Sequence, residues 1–366
     1  MSGAPYAGRI ARVRGEMARL GVDALVVSVG HDLPYLVGYH AMPLERLTAL
    51  VVPREGEVVL VVPRLEAPRV ARVDDVFALR AWGETEDPVA IVAGLLRGAR
   101  TVAVGDQMWA RFLVDLFGRL AGVRWVRGVD VVGPLRVAKD AAEIAALRRA
   151  GAAADRVATA LRAGEIALEG RTEAQVSAEL SARLLAEGHD VVNFAIVAAG
   201  PHAASPHHEP GARPIGRGEI VLCDFGGTMD GYCSDITRCV HVGAPTREVR
   251  DAWEVLRRAQ QAGVEAARVG ATCESVDAAA RRVIAEAGWG ERFIHRTGHG
   301  IGMEAHEDPY MVEGNATPIV AGHAFSVEPG IYVDGRWGMR LEDIVVATDA
   351  GPERMNLVDR DLAIVG

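Results

Sequence analysis

The sequence predicts an α+β fold in two domains, a smaller α/β domain at residues 1–134 and a larger α+β domain at residues 135–366. Two observations support this prediction. Short apolar runs alternate with helical segments through the first third of the chain, which is typical of an α/β layer. The remainder twice repeats a pair of helices followed by a pair of antiparallel strands, which favours an α+β domain of two similar halves.

The first domain is predicted from apolar runs and the turns between them. Its elements are, in order, a helix at residues 7–20 and strands at 23–29, 47–53, 58–63, 101–104 and 123–126. The turn Arg54-Glu55-Gly56-Glu57 separates two of these strands and indicates a β-hairpin. A helical segment lies between the last two strands, and Gly133-Pro134 ends the domain.

The helices of the second domain are predicted from their capping residues. The N-caps are Asp140, Thr172, Thr246 and Thr272. Glu143 and Gln175 complete capping boxes with the first two, and Gly164 and Gly188 end those helices. Strands are predicted at residues 219–224, 232–241, 324–333 and 338–348.

Composition and charge exclude several classes of protein. Of the 366 residues, 49% are hydrophobic and 24% are charged, which is typical of a globular protein with a sizeable core. The net charge is −9 without a basic cluster, so neither nucleic acid nor an anionic membrane is an expected partner. No apolar run reaches the roughly 18 residues of a membrane helix, and helix 7–20 lacks the apolar segment of a signal peptide. The four cysteines form no C-x-x-C pair, so we expect the protein in the reducing cytoplasm.

Asp224 and Asp235 are the first candidate functional residues. Each lies in an apolar, strand-like run, and the segment 226–231 is expected to form the turn between the two strands. Because side chains alternate along a strand, a hairpin can bring both carboxylates to one face. Two adjacent carboxylates repel each other unless protons or cations intervene. On these residues alone, a buried ion pair and a turn residue are an equally good interpretation.

Three of the chain's 11 histidines, His295, His299 and His306, lie within twelve positions. Glycines flank His299 on both sides and allow the backbone to approach a ligand closely. Tyr310 stands where the motif H-E-x-x-H needs its second histidine, and the glycines lack the spacing of a dinucleotide-binding loop. A ligand-binding loop is therefore favoured over a glycine loop with incidental histidines.

Glu328 and Glu342 add two carboxylates to apolar runs. Glu328 precedes Pro329-Gly330, which breaks its strand. Strand alternation predicts Arg340, Glu342 and Ile344 on one face. Since a charged residue on an apolar strand usually has a partner, a salt bridge from Arg340 to a carboxylate is the structural alternative to metal binding.

Together these residues supply four carboxylates and one imidazole: Asp224, Asp235, His299, Glu328 and Glu342. This donor set suits two divalent metal ions of moderate hardness, with Mn²⁺ preferred and Co²⁺ or Zn²⁺ as alternatives. Four formal negative charges would balance two dications. The sequence therefore predicts a dinuclear metal centre.

The order of motifs resembles that of the pita-bread metallopeptidases, which include methionine aminopeptidase, aminopeptidase P and prolidase. The motifs are Pro206-His207, Asp224-Phe-Gly, Ser234-Asp235-Ile-Thr-Arg238, His295-x-x-Gly-His299-Gly-x-Gly, His306-Glu-x-Pro309, Glu328-Pro-Gly-Ile-Tyr332 and Arg340-x-Glu342-Asp343. The first domain resembles the creatinase/prolidase N-terminal domain through Tyr35-Leu-Val-Gly38-Tyr39 and Arg136-Val-Ala-Lys139-Asp-Ala-Ala-Glu143-Ile. The resemblance implies a pita-bread catalytic domain after this N-terminal domain, in the proline-specific branch of the family.

The resemblance also implies a role for each metal ligand. Asp224 would bind one ion, and His299 with Glu328 would bind the other. Asp235 and Glu342 would bridge the two ions. The implied reaction is hydrolysis of the Xaa-Pro bond of dipeptides or short peptides by a metal-bridging hydroxide.

The remaining site residues follow from the same resemblance. The implied catalytic residues are His207, His306 and Glu328. Glu328 would transfer a proton, His306 would stabilise charge on the carbonyl oxygen, and His207 would lie near the leaving nitrogen. His295 and Arg340 are implied to surround the substrate.

One departure from the family bears on substrate length. Typical prolidases place an arginine shortly after the His-Glu-x-Pro motif to bind the dipeptide carboxylate, and here Tyr310 follows Pro309. Relatives of this size usually form homodimers, so Arg46 of segment 31–46, reaching from the partner subunit, is a candidate to bind this carboxylate, with a solvated surface arginine as the alternative. An aminopeptidase P acting on longer peptides is the main alternative. An inactive pita-bread binding domain is a minor one, since all five ligands are present.

Overall fold

The computed structural model describes residues 4–73 and 75–366. The described residues up to Arg136 form one compact unit, and Val137–Gly366 form a second. The boundary predicted from the sequence, after residue 134, lies two residues before this division. Within the described residues, no helix combines the length and the apolar character that a membrane span requires.

The first unit contains one six-stranded sheet, with the order β4-β3-β2-β1-β5-β6. Its strands are β1 (Ala24–Val27), β2 (Ala49–Pro53), β3 (Val59–Pro63), β4 (Ala78–Trp82), β5 (Thr101–Val104) and β6 (Arg124–Arg127). Its helices are α1 (Ala4–Leu20), α2 (Asp32–Val37), α3 (Pro88–Leu95) and α4 (Ala110–Arg119), and α5 (Val129–Val137) runs to the join. Strands β2 and β3 pair antiparallel, which confirms the predicted hairpin.

The second unit contains four long helices, α6 (Ala141–Arg162), α7 (Glu173–Ala186), α8 (Arg247–Ala266) and α9 (Cys273–Glu286). The capping boxes predicted at Asp140 and Thr172 are present, and the Thr246 side chain accepts a hydrogen bond from the Val249 amide. Thr272 occupies the N-cap of α9, although no described backbone N–H donates to its side chain there. Capping residues were therefore reliable signals for where these helices begin.

The strands of the second unit form three sheets. They are β7 (Val191–Ala199), β8 (Ile220–Met229), β9 (Tyr232–Cys233), β10 (Ile236–Val242), β11 (Gly298–Gly300), β12 (Glu307–Met311), β13 (Ala324–Val327), β14 (Gly330–Val333), β15 (Trp337–Arg340), β16 (Asp343–Thr348), β17 (Gly351–Arg354) and β18 (Ala363–Val365). One sheet has the order β18-β10-β8-β7, with β9 paired to β8. A second has the order β12-β11-β13-β16-β17, and β14 pairs with β15.

The predicted repetition of helices and strands is present. Helices α6 and α7 precede antiparallel β7, β8 and β10, and α8 and α9 precede antiparallel β11, β12 and β13. Leu161, Leu180 and Phe225 belong to the core of the first half, and Val276 and Phe325 to a core of the second. Burial of one such side chain contributes about 1.5–3 kcal/mol, so the helices are held on their sheets mainly by these contacts.

The turn predicted at 226–231 was placed too early. Strand β8 continues through Gly226 and Gly227 to Met229, and the chain turns at Asp230 and Gly231, whose φ angles are 51° and 80°. A Cβ atom on Gly226 would collide with the Ser234 carbonyl. These strand glycines therefore allow close packing of the backbone and do not form the turn.

The strand predicted at 338–348 is also wrong in detail. It is divided at Leu341-Glu342 into β15 and β16, which belong to different sheets. Simple alternation therefore does not relate Ile344 to Glu342, and Ile344 packs in an apolar cluster with Leu147. The strand predicted at 324–333 divides in the same way at Glu328-Pro329, because proline has no N–H for a sheet ladder.

Candidate metal centre

The five predicted ligands come from five separate places in the second unit. Asp224 lies on β8, His299 lies on β11, and Asp235 directly precedes β10. Glu328 and Glu342 lie in the two strand interruptions described above. Asp224, Asp235, His299 and Glu342 are buried, and Glu328 is partly buried. The strand breaks therefore place the Glu328 and Glu342 carboxylates at the ends of strands.

The structure brings all five residues together, and we name them the carboxylate centre. Donor atoms of Asp224, Asp235 and Glu342 lie within 4.8 Å of one another, and so do those of His299, Glu328 and Glu342. His299 Nε2 is 3.2 Å from Glu328 Oε1 and 3.7 Å from Asp235 Oδ2. Glu342 belongs to both groups, as a bridging ligand would.

The carboxylate centre fits two dications. Among the described residues, Oδ1 of Asp224 and Oδ1 of Asp235 are buried and have no hydrogen-bond partner. Burial and then the neighbouring carboxylates raise the pKa of Asp235 and of Glu342 well above the ordinary range. Burial also raises the pKa of Asp224. Buried carboxylate oxygens without donors are destabilising, and metal ions would satisfy them.

Glu328 differs from the other carboxylates of the centre. Burial raises its pKa, but the hydrogen bond and charge of His299, followed by His295 and Arg340, outweigh burial and lower the pKa to about 2. The Ser326 hydroxyl donates to Glu328 Oε1 at 2.9 Å. Glu328 is therefore ionised at neutral pH.

Hydrogen bonds from Thr237 and Arg340 hold two of the carboxylates in place. The Thr237 hydroxyl donates to Glu342 Oε2 at 2.7 Å, and Arg340 Nη2 donates to Asp224. Arg340 Nη1 donates to the Tyr332 hydroxyl at 2.9 Å. Burial lowers the pKa of Arg340, but Tyr332, Asp224 and the other carboxylates outweigh it and raise this pKa. Arg340 is buried and engaged with a ligand, so its contact with substrate stays a prediction.

Sequence reasoning assigned no role to Thr237 or Tyr332, although both lie in the quoted motifs. Thr237 follows Asp235 by two positions, so alternation alone points it toward the same side. Tyr332 accepts from Arg340, and its hydroxyl lies 2.9 Å from His295 Nε2. Burial raises the pKa of Tyr332 to about 12, so the hydroxyl keeps its proton.

A cavity of about 770 Å³ opens beside the carboxylate centre. It is lined by the five ligands, Arg340 and nine further residues: Phe194, Ile196, Ser205, Pro206, His207, Ile294, His295, Arg296 and His306. All three predicted non-ligand histidines therefore line one cavity. The His306 ring lies 3.9 Å from the His299 ring. Burial, followed by His299, lowers the pKa of His306 to about 4, so His306 is neutral at pH 7.

The predicted ligand of the substrate carboxylate, Arg46, and a second arginine, Arg296, lie in different units. Arg46 belongs to the first unit, where its guanidinium is 2.6 Å from Glu45 Oε1 and 3.2 Å from Glu84 Oε1. Its predicted role in a partner subunit stays a prediction. Arg296 lines the cavity, and its guanidinium lies 4.2 Å above the Tyr310 ring. Sequence reasoning passed over Arg296, which directly follows His295 and faces the tyrosine that marks the departure from the family.

Comparisons with known proteins give matches to both units of the chain. Residues 145–349 match the model of metallopeptidase family M24, and residues 9–138 match the Creatinase/Prolidase N-terminal domain. The chain is 46% identical over 365 residues to the probable dipeptidase PepE of Mycobacterium tuberculosis, covering 98% of this chain and 96% of the relative. It is 36% identical over 360 residues to the Xaa-Pro dipeptidase of Lactobacillus helveticus, covering 94% and 95%.

Solved structures match over nearly the whole chain. Dipeptidase PepE from Mycobacterium ulcerans has a TM-score of 0.93 at 46% identity, covering 100% of this chain and 99% of that one. The prolidase from Thermococcus sibiricus has a TM-score of 0.91 at 35% identity, covering 99% of each chain. These matches confirm the prediction of a smaller α/β N-terminal domain followed along the chain by a pita-bread catalytic domain. The chain is a metallopeptidase, and it belongs to metallopeptidase family M24.

Proposed function

We propose that this protein hydrolyses the Xaa-Pro bond of dipeptides with two divalent metal ions, of which Mn²⁺ is preferred and Co²⁺ or Zn²⁺ are alternatives. The observation that carries the proposal is the cavity that joins the carboxylate centre to three further histidines, His207, His295 and His306. The relatives named dipeptidase, Xaa-Pro dipeptidase and prolidase support it. The proposal includes a cytoplasmic homodimer, as expected from the sequence, with short proline-containing peptides as its ligands.

The metal ions would supply Lewis-acid chemistry. When bound, they lower the pKa of water and act as Lewis acids on the scissile carbonyl group. Asp224 would hold one ion, His299 and Glu328 the other, and Asp235 and Glu342 both. The buried Oδ1 atoms of Asp224 and Asp235, which have no hydrogen-bond partner among the described residues, support these roles.

The protein's own groups transfer the protons and orient the peptide. Ionised Glu328 accepts a proton and delivers it to the leaving nitrogen. Neutral His306 has an N–H to donate to the carbonyl oxygen as negative charge develops there. His207 orients the peptide near the leaving nitrogen. The leaving nitrogen of any peptide bond has to gain a proton to depart as an amine, and in an Xaa-Pro bond it carries no hydrogen of its own beforehand.

The cavity wall suits an apolar N-terminal residue followed by proline. Phe194, Ile196 and Ile294 supply apolar surface, and Ile294 is largely exposed. A dipeptide also brings a free carboxylate close to the scissile bond. Among the described residues, no carboxylate lies within ion-pair distance of Arg296, whose guanidinium is held on Tyr310. Arg296 is therefore the cation of this wall that best suits the substrate carboxylate.

A substrate series with Mn²⁺ tests this function. We expect the wild type to hydrolyse Xaa-Pro faster than Xaa-Pro-Yaa. Arg296→Ala should raise KM for Xaa-Pro by about 10- to 100-fold, the range for loss of a hydrogen bond between charged groups. The same variant should leave KM for the uncharged Xaa-Pro amide nearly unchanged. Arg46→Ala is the matched variant, because it tests the prediction that Arg46 of a partner subunit binds the substrate carboxylate. That prediction requires a dimer, which sedimentation velocity measures.

Each alternative gives a different result in this series. A wild type that prefers tripeptides and longer peptides is an aminopeptidase P. Metal-loaded protein without turnover on any of these peptides is a binding domain. If Arg296→Ala has equal effects on the dipeptide and its amide, Arg296 does not bind the carboxylate. An effect of Arg46→Ala on the dipeptide alone would then favour the partner subunit as the source of the cation.

A further inference from the structure

A second set of candidate metal ligands lies in the first half of the second unit and shares no residue with the carboxylate centre. It consists of Glu173, His202 and His208, which we name the Glu173 cluster. Glu173 lies in the first turn of α7, His202 in a short 3₁₀ helix at Gly200–Ala204, and His208 in the loop that follows. Three separate segments therefore direct a metal-binding side chain to one point.

The donor atoms of the Glu173 cluster converge closely. His202 Nδ1 lies 3.0 and 3.1 Å from the two carboxylate oxygens of Glu173, and His208 Nε2 lies 2.9 Å from Oε2. The two imidazole rings are 4.3 Å apart. A contact of the same kind joins His299 and Glu328 in the carboxylate centre, at 3.2 Å. Small outward shifts of these groups would leave room for an ion with ligands at about 2.0–2.2 Å.

The carboxylate of Glu173 is buried and held by several hydrogen bonds. Its side chain is fully buried, whereas 40% of the His202 side chain is exposed. The Ala199 and Gly211 amides donate to the carboxylate, and with the histidines these bonds outweigh burial and lower the pKa of Glu173. A divalent cation bound at this point would balance the charge of the buried carboxylate. Arg213, whose charge also acts on Glu173, is paired with Glu219.

We propose that Glu173, His202 and His208 bind one divalent cation of borderline softness, with Zn²⁺ preferred, at a site separate from the carboxylate centre. Two imidazoles and one carboxylate are a ligand set that zinc favours, and the exposed side of His202 leaves a position for water. The bound ion connects α7 to the loop of residues 205–211. His208 directly follows His207, so the ion fixes the base of the loop that carries a cavity histidine.

Zinc counting on the full chain tests this site without relying on turnover. The protein is treated with a chelator, dialysed against Zn²⁺ alone, and its zinc per chain is measured by mass spectrometry. We expect wild type to retain one zinc more per chain than His202→Ala. His40→Ala removes an exposed histidine of the first unit and should match the wild type. The difference between variants does not depend on how many ions the carboxylate centre holds.

Anomalous scattering at the zinc edge decides the question in wild-type crystals, whether or not a variant folds. The expected result is a peak about 2.0–2.2 Å from His202 Nδ1, His208 Nε2 and a Glu173 oxygen. Equal zinc counts for wild type and His202→Ala would overturn the site, and so would a map without this peak. The three residues would then be a hydrogen-bonded set only. Neither result bears on peptide hydrolysis, so this proposal can fail while the proposed function stands.

Discussion

Glu342 and Asp343 are neighbours in the sequence and both are buried, yet they lie in opposite environments. Asp343 accepts hydrogen bonds from Arg238 at 2.6 Å, Gln260 at 2.9 Å and Arg354 at 3.0 Å. We name these four residues the Asp343 network. Both oxygens of its carboxylate are satisfied by donors that the chain itself supplies, and two of those donors are cations.

In the described part of the chain, the Glu342 carboxylate accepts one hydrogen bond, from the Thr237 hydroxyl, and its other close neighbours include further carboxylates. The Asp343 network is a structural solution, because its charges are balanced within the protein. The carboxylate centre is left with excess negative charge and unsatisfied oxygens. Burial of a charged side chain therefore does not identify a metal ligand. The informative feature is the imbalance of charge: among the described residues, Arg340 alone forms an arginine ion pair with the four carboxylates of the centre.

The largest effect that separates the two regions is expected for Glu342→Gln. Removal of a ligand shared by both ion positions should release metal, and turnover should fall by at least about 10²- to 10³-fold, as for loss of a main electrostatic group. Metal per chain and kcat measure this. Asp343→Asn is the matched control, because it changes the adjacent carboxylate to an amide and should retain metal. Loss of metal from Asp343→Asn, with metal retained in Glu342→Gln, would reverse the comparison.

The same variant has a pH signature in the metal-free protein. The pKa of Glu342 is raised on folding, so the folded state holds this proton more tightly than the unfolded chain does. Its contribution to stability is complete below the unfolded pKa of about 4.3 and is lost as pH rises through the raised folded pKa. Wild-type apoprotein should therefore lose stability toward neutral pH, and Glu342→Gln should lose less. Added Mn²⁺ should restore the wild type by binding its native state.

The histidines of the cavity sharpen the comparison by separating ligands from acid–base groups. His207→Ala and His306→Ala should each lower kcat by about 10²- to 10⁴-fold, the usual range for a positioned proton donor or acceptor. Metal content should remain that of the wild type, unlike in Glu342→Gln. A variant that loses its metal with little other defect would show that its histidine is a ligand.

Within the Asp343 network, Asp343→Asn should act on stability. It leaves Arg238, whose side chain is fully buried, without its carboxylate partner. Breaking a buried pair in this way costs about 3–5 kcal/mol of unfolding free energy, measured by urea titration. Glu353→Gln removes an exposed ion pair with Arg148 and should cost less than about 1 kcal/mol. A loss of less than about 1 kcal/mol for Asp343→Asn would mean that the Asp343 network stabilises the fold no more than an exposed ion pair does.

Much of the fold follows from local signals in the sequence. Asp140, Thr172 and Thr246 mark helix starts because their side chains satisfy free amide groups, which is a local property. The hairpin of β2 and β3 follows from two apolar runs and a short turn. Pro329 marks the interruption at Glu328 locally, whereas the one at Glu342 arises because β15 and β16 pair in different sheets, which alternation alone could not predict.

The sequence predicted which residues form the candidate metal centre, but not the contacts that surround them. The five ligands were selected as charged residues in apolar runs, and the structure brings them together. The contact of Arg296 with Tyr310 joins residues on separate elements, and no spacing rule connects them. The Glu173 cluster was missed for the same reason. Its histidines are six positions apart, and Glu173 reads in the sequence as an ordinary acidic residue in the first turn of a helix.

His323 extends the comparison to a buried base, with the smallest expected effect. Burial, and then the ammonium group of Lys139, lowers the pKa of His323 to about 4, and its Nδ1 has no hydrogen-bond partner among the described residues. The carboxylate centre is balanced by metal in our proposal and the Asp343 network by arginines, whereas His323 avoids a buried charge by remaining neutral.

Because the folded pKa of His323 lies below the unfolded value of about 6.5, the stabilisation that its neutral form provides is complete above that pH and is lost as pH falls toward 4. His323→Leu should therefore reduce the loss of unfolding free energy between pH 7 and pH 5 by about 2 kcal/mol. Urea titrations of variant and wild type at both pH values measure this difference, in which the titration of the carboxylate centre cancels. Parallel pH dependences would mean that the pKa of His323 is not lowered in the folded protein.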